Sequence, residues 1–155
     1  MKIIKFFDSL SSNQRFVANI FIPFLYFVPL GVAYFSDKNF GFSYRGLVYS
    51  GLSVGAFGMI LWMLSTLNLG SEFSTLPGAK KLVQRGVYRF IRHPMYLGIA
   101  LAVFGLMLAC GSIFGMIYLF IVILPVNILR SRIEEKVLEE LFGQVFEEYK
   151  KSTWF

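Results

Sequence analysis

Four apolar stretches, at roughly 16–35, 47–69, 94–110 and 113–129, constrain this chain more than any other feature. Each is long enough, or nearly so, to cross a hydrocarbon core that takes about 20 helical residues. A segment in lipid must satisfy its own backbone N–H and C=O groups, which a helix does internally. The composition agrees, since 56% hydrophobic and only 15% charged residues in a chain of 155 is too apolar for a soluble domain of that size. The expected fold class is therefore all-α: a polytopic membrane protein with four transmembrane helices, forming one domain over 1–155. Lys2 and Lys5 precede the first stretch as they would a signal peptide. That stretch is too long for such a core, contains Pro23 and Pro29, and is not followed by a small-residue cleavage site, so it reads as a span.

The net charge of +6 does not point to nucleic acid, because the basic residues flank apolar spans and are not gathered in a soluble module. If four helices cross, the amino terminus, the connection between helices two and three, and the carboxyl tail share one side. That side holds all fifteen Lys and Arg residues except Lys38 and Arg45. Basic residues near span ends set orientation, so both termini are expected in the cytosol, with the chain in a bacterial inner membrane or the endoplasmic reticulum. Cys110 is the single cysteine, which excludes an internal disulfide and a cysteine-rich metal site. The spans hold almost no ionisable residues to line a transport path.

Gly51, Gly55 and Gly58 recur along nearly one face of helix two, where another helix can approach closely. A break at Cys110, Gly111 and Ser112 makes helices three and four a tight hairpin. Pro125 frees a backbone carbonyl near the cytosolic end of helix four, and Asn127 either satisfies it or faces a polar cavity. After Arg130 the pattern changes to a C-terminal amphipathic cytosolic helix, with Ile133, Val137, Leu141, Val145 and Tyr149 at four-residue spacing. Gly143 bends or ends its first half, and Glu139, Glu140, Glu147 and Glu148 are expected to pair with Lys136 and Lys151 at helical spacing.

The densest run of polar and aromatic residues reads LVQRGVYRFIRHPMYLG from Leu82, and the tail reads RSRIEEKVLEELFGQVFEEY from Arg130. Together these resemble the isoprenylcysteine carboxyl methyltransferase and phospholipid methyltransferase family of integral membrane enzymes. The likeness covers roughly 70–150 and rests on two motifs in the right order, separated by one helical hairpin. It implies S-adenosyl-L-methionine as the methyl donor, with the cofactor-binding part at about 78–150 and a lipophilic molecule or membrane lipid as the acceptor. It also implies cofactor contacts at Lys80, Leu82, Val83, Tyr88, Arg92, His93, Pro94, Tyr96, Gly98 and Glu134, and a substrate contact at Arg130. Lys80 and Lys81 depart from the polar residues common at those positions of the carboxyl methyltransferases.

These residue types suit that donor, which presents a carboxylate, an ammonium, a sulfonium and an aromatic base. His93 and the backbone amides at the start of helix three match a carboxylate, and Pro94 suits the first helical turn. Tyr88 and Tyr96 offer flat faces to a cation or an adenine. Glu134 matches the ammonium through a charge-assisted hydrogen bond. Arg130 can orient a carboxylate acceptor, whereas an amine acceptor must lose a proton, to Glu135 or to His93. Plainer roles compete with these: Arg89 and Arg92 as anchors to phosphate headgroups, His93 as a satisfied interfacial residue, and Arg130 with Glu134 as a surface ion pair. Two other functions remain open at this point, a nicotinamide-dependent sterol or enone reductase and a non-catalytic membrane scaffold.

Overall fold

A computed structural model describes residues 12–35, 44–70 and 82–154, with side chains in the first helix from Phe21 onward. Helix α1 spans Ser12–Phe35 and α2 spans Arg45–Leu69. A 3-10 turn at Gly86–Arg89 leads into α3, Pro94–Cys110. Helix α4 spans Ile113–Phe142, and α5 spans Gln144–Ser152. Among the described residues the chain is all-helical apart from one isolated parallel bridge, between Ile91 and Trp154.

Two helices, α2 and α4, are long and apolar enough to cross a membrane, while Phe21–Phe35 and α3 are apolar but shorter. Phe24, Phe57, Ile60, Phe120 and Ile121 point outward from these elements. Such a surface suits a lipid solvent, where apolar groups gain nothing by turning inward.

Helices α2 and α3 form the tightest seam, and glycine makes it possible. A Cβ on Gly51 would stand 2.5 Å from the backbone nitrogen of Ala109, and one on Gly98 would stand 2.7 Å from that of Trp62. Gly58 and Gly105 meet the opposing backbone of Ala102 and Gly55 just as closely. The small-residue face expected on α2 thus has a glycine counterpart on α3.

The hairpin between α3 and α4 turns in two residues. Gly111 adopts the left-handed conformation, φ 62° and ψ 30°, and Ser112 N–H donates back to Met107 O at 3.0 Å. Ser112 Oγ then accepts from Gly115 N at 3.1 Å and caps α4.

Both proline-bearing helices run on through their prolines. Pro29 cannot donate to Leu25 O four residues earlier, and the Tyr118 hydroxyl donates to that carbonyl instead, at 3.3 Å. Ahead of Pro125, α4 widens into a π turn at Leu119–Ile123, closed by Leu124 N–H onto Leu119 O. Asn127, expected either to serve the carbonyl freed by Pro125 or to face a polar cavity, bonds to neighbouring helices. It is buried, accepts from the Tyr26 hydroxyl at 2.7 Å and donates to Tyr96 O at 3.2 Å, so it ties α1, α3 and α4 together.

The tail differs from the expected separate amphipathic helix. Helix α4 continues from Leu129 through Arg130 to Phe142 without a break, because no residue there disfavours a helix. Gly143, at φ 51°, ends it and starts α5. That break resets the helical phase: Val137, Phe146 and Tyr149 are buried, whereas Leu141 and Val145 are exposed. Glu139 forms its ion pair across to α5, with Lys150 at 3.0 Å, rather than along its own helix with Lys136.

Candidate functional site

The chain approaches the site through a segment held at three points. The Arg85 guanidinium donates to Asn68 O at 3.2 Å, fastening the segment to the end of α2. The buried Tyr149 hydroxyl donates to Tyr88 O at 2.6 Å. Trp154 N–H donates to Phe90 O at 2.8 Å, and Arg92 N–H donates to Trp154 O at 3.1 Å. Together these contacts hold the residues just before His93 against the C-terminal end of the protein.

His93 stands at the N-cap position of α3, its side chain buried at 7% exposure and making no capping hydrogen bond, and Pro94 follows at the first helical position. Since α3 and α4 are antiparallel, the start of α3 meets the far end of α4. His93 Nε2 lies 3.3 Å from Glu135 Oε1, and His93 Nδ1 lies 3.7 Å from Glu134 Oε2. An imidazole between two carboxylates can donate from either nitrogen, depending on its tautomer and charge. Arg92 Nε stands 3.5 Å from Glu135 Oε1, and Lys150 Nζ stands 3.8 Å from Glu135 Oε2. Arg92 is therefore turned into this cluster rather than out toward headgroups.

Three tyrosines surround Glu134. Burial, reinforced by the Glu134 carboxylate and then by Tyr149, holds the Tyr88 phenol well above its ordinary range. Burial pushes the Tyr149 phenol up to about 12, with Arg92 opposing and Glu134 reinforcing the shift. Tyr96 has Glu134 and Arg130 as electrostatic neighbours. Its ring lies 5.8 Å from that of His93 and carries the Arg130 guanidinium 5.4 Å from its centroid. Lys150 is raised mainly by its hydrogen bond to Glu139.

Of the residues singled out in the sequence, Tyr88, Arg92, His93, Pro94, Tyr96, Arg130, Glu134 and Glu135 gather at this one end of the helices. Leu82 and Val83 are half-buried just ahead of the turn. Gly98 is set apart: it faces α2, with Trp62 N and Gly58 O where a side chain would begin, and so serves helix packing. Lys80 lies outside the described residues.

Sequence reasoning passed over Tyr26, which enters from α1, and Trp154, whose backbone clasps the 90–92 segment. A hydroxyl inside an apolar span is a usable signal for Tyr26, since such a group needs a buried partner. A single backbone bridge such as that of Trp154 leaves no mark in residue type.

A protein-S-isoprenylcysteine O-methyltransferase of Schizosaccharomyces pombe is 28% identical over 122 residues, covering 74% of this chain and 50% of that protein. The chain thus spans about half the length of that curated relative. No solved structure matches it. Residues 47–145, from α2 to the start of α5, match the phospholipid methyltransferase family, and the chain belongs to that family.

Proposed function

We propose that this membrane protein transfers a methyl group from S-adenosyl-L-methionine to a lipophilic acceptor at the cytosolic face. The observation carrying the proposal is the convergence of His93, from the start of α3, with Glu134 and Glu135, from the far end of α4. In this reading all four apolar helices lie in the bilayer, and both termini share the basic cytosolic side.

The residues present fit a zwitterionic donor. Arg92 Nε is buried 3.5 Å from Glu135 Oε1 without a hydrogen bond among the described residues, and its guanidinium gives the site a positive charge that suits a carboxylate. Glu134 is 35% exposed and offers its carboxylate to an ammonium. Tyr88 and Tyr96, both beside Glu134, offer ring faces to a cation or a base. Lys80 is kept with these as a candidate contact. When bound, the donor supplies an electrophilic methyl group on a sulfonium centre.

This chain's own residues then have to align the acceptor and exclude water. Arg130, stacked on Tyr96, is suited to orient a carboxylate acceptor. For an amine acceptor, Glu135 in contact with His93 is suited to take the proton. The apolar part of either acceptor enters sideways from the bilayer while its head reaches the site.

Calorimetric titration of the purified protein with S-adenosyl-L-methionine tests the donor. Saturable binding is expected, weakened at least tenfold, or about 1.4 kcal/mol, by Glu134→Gln or His93→Ala. A parallel titration with NADPH tests the reductase alternative. No donor binding by the parent overturns the proposal. Incorporation of labelled methyl into N-acetyl-S-farnesylcysteine and phosphatidylethanolamine, assayed separately, distinguishes carboxylate from amine acceptors.

A further inference from the structure

We infer that Arg85 and Arg89 hold the phosphate of an anionic phospholipid headgroup in a polar cavity at the end of α2. Arg92, His93, Glu134 and Glu135 do not line this cavity, so it is separate from the candidate methyl-transfer site and does not depend on the reaction proposed there.

The cavity has a volume of about 500 Å³, within the range of small-molecule sites. Gln84, Arg85, Arg89 and Ser152 line it, and no acidic residue does so among the described residues. Its charged groups are therefore two guanidiniums, whose planar donor forks match phosphate oxygens. Both arginines are exposed. Arg85 is already oriented, since its Nε and Nη2 donate to Asn68 O at 3.3 and 3.2 Å. Arg89 makes no ion pair with the described acidic residues.

The two arginines also bracket one element. Arg85 is the N-cap of the Gly86–Arg89 turn and Arg89 is its last residue. Two like charges lining one cavity repel, and an anion between them removes that cost.

Depth in the membrane decides between a lipid phosphate and a soluble one. Asn68 belongs to the last turn of α2, a helix long and apolar enough to cross a bilayer. Its bond to Arg85 therefore sets the cavity at a span end, where headgroups lie. Phe90 follows Arg89 directly, and its carbonyl accepts from Trp154 N–H at 2.8 Å, which brings a second aromatic residue alongside. Both side chains face outward, Phe90 at 66% and Trp154 at 84% exposure. Arginines beside exposed aromatic rings at a span end match the boundary between headgroups and hydrocarbon. Arg92 does not share this role, because it is turned into the cluster with Glu135.

The test titrates the full chain, delipidated in detergent, with phosphatidylglycerol or phosphatidylcholine, read by native mass spectrometry. Phosphatidylglycerol should bind roughly tenfold more tightly, and Arg89→Gln should weaken it about fivefold while leaving phosphatidylcholine unchanged. Lys136→Gln removes an equal charge from an exposed position outside the cavity and should bind phosphatidylglycerol as the parent does. Arg85 also fastens the segment to α2, so Arg89 carries the test. Hydrogen exchange of the parent in nanodiscs adds a readout that needs no variant: amides of residues 86–90 should slow with phosphatidylglycerol and not with phosphatidylcholine alone.

Equal affinity for the two lipids, equal losses in Arg89→Gln and Lys136→Gln, or slowed exchange only elsewhere would overturn the inference. Displacement of phosphatidylglycerol by inorganic phosphate at the same concentration would show a site for soluble phosphate and overturn the lipid assignment.

Discussion

His93 and Glu135 are separated by 42 positions in the chain, yet His93 Nε2 lies 3.3 Å from Glu135 Oε1. The contact follows from the two-residue turn at Gly111 and Ser112, which returns α4 alongside α3 and sets their opposite ends together. A double-mutant cycle with His93→Ala and Glu135→Gln, read from unfolding in detergent, should give a coupling of about 1 kcal/mol, where independent sites would be additive. Strict additivity would mean that the two groups do not interact in the folded protein.

The glycine seam gives a sharper contrast. At Gly58 a new Cβ meets the backbone of Ala102, whereas at Gly31 nothing lies within 4 Å. Gly58→Ala should lower stability by about 1–3 kcal/mol, because backbone cannot move aside as a flexible side chain can. Gly31→Ala should leave it unchanged or slightly raised, as alanine favours the helix. Thermal unfolding of the two variants in the same detergent provides the comparison, and equal losses would refute the close approach of α2 and α3.

The helices and the site differ in how far the sequence discloses them. The start and end of α3, at Pro94 and Cys110, follow directly from a proline suited to a first turn and from a Cys-Gly-Ser break. The cluster of Arg92, His93, Glu134 and Glu135 was legible because the motif pairs residue types whose chemistry needs them together. The continuation of α4 past Arg130 was not, since the change from apolar to amphipathic pattern reports a change of solvent and not a break in the backbone. Gly98 was ambiguous for a related reason: it sits within the motif run, and only its neighbour Trp62, on another helix, reveals its packing role. Tyr26 and Trp154 became visible only through tertiary contacts made by a hydroxyl and a backbone.

Tyr149 has both a hydrogen bond and a titration to examine. Its hydroxyl donates to Tyr88 O at 2.6 Å in a buried setting, so Tyr149→Phe should cost about 1–3 kcal/mol by leaving that carbonyl unsatisfied. The phenol is pushed up to about 12 in the folded protein, from about 10 when unfolded. A raised phenol pKa means that the unfolded state loses its proton first. The associated stability is fully present below pH about 10 and is lost as pH rises through about 12. The unfolding free energy measured across that window should fall more steeply in the parent than in Tyr149→Phe, and parallel curves would show that Tyr149 is not the group responsible.

Asn127 provides the last test, because three helices depend on one side chain. It takes the Tyr26 hydroxyl from α1 and gives a hydrogen bond to Tyr96 O of α3, while belonging itself to α4. Asn127→Leu keeps similar bulk but takes the Asn127 acceptor from the part-buried Tyr26 hydroxyl and the donor from Tyr96 O, which should destabilise by about 1–3 kcal/mol. Adding Tyr26→Phe removes that hydroxyl and should recover part of that loss, since deleting both polar partners is gentler than deleting one. The single and double variants, compared by thermal unfolding, separate the polar tie from simple packing. If the double variant is no more stable than Asn127→Leu alone, the Tyr26–Asn127 bond does not join α1 to the rest of the protein.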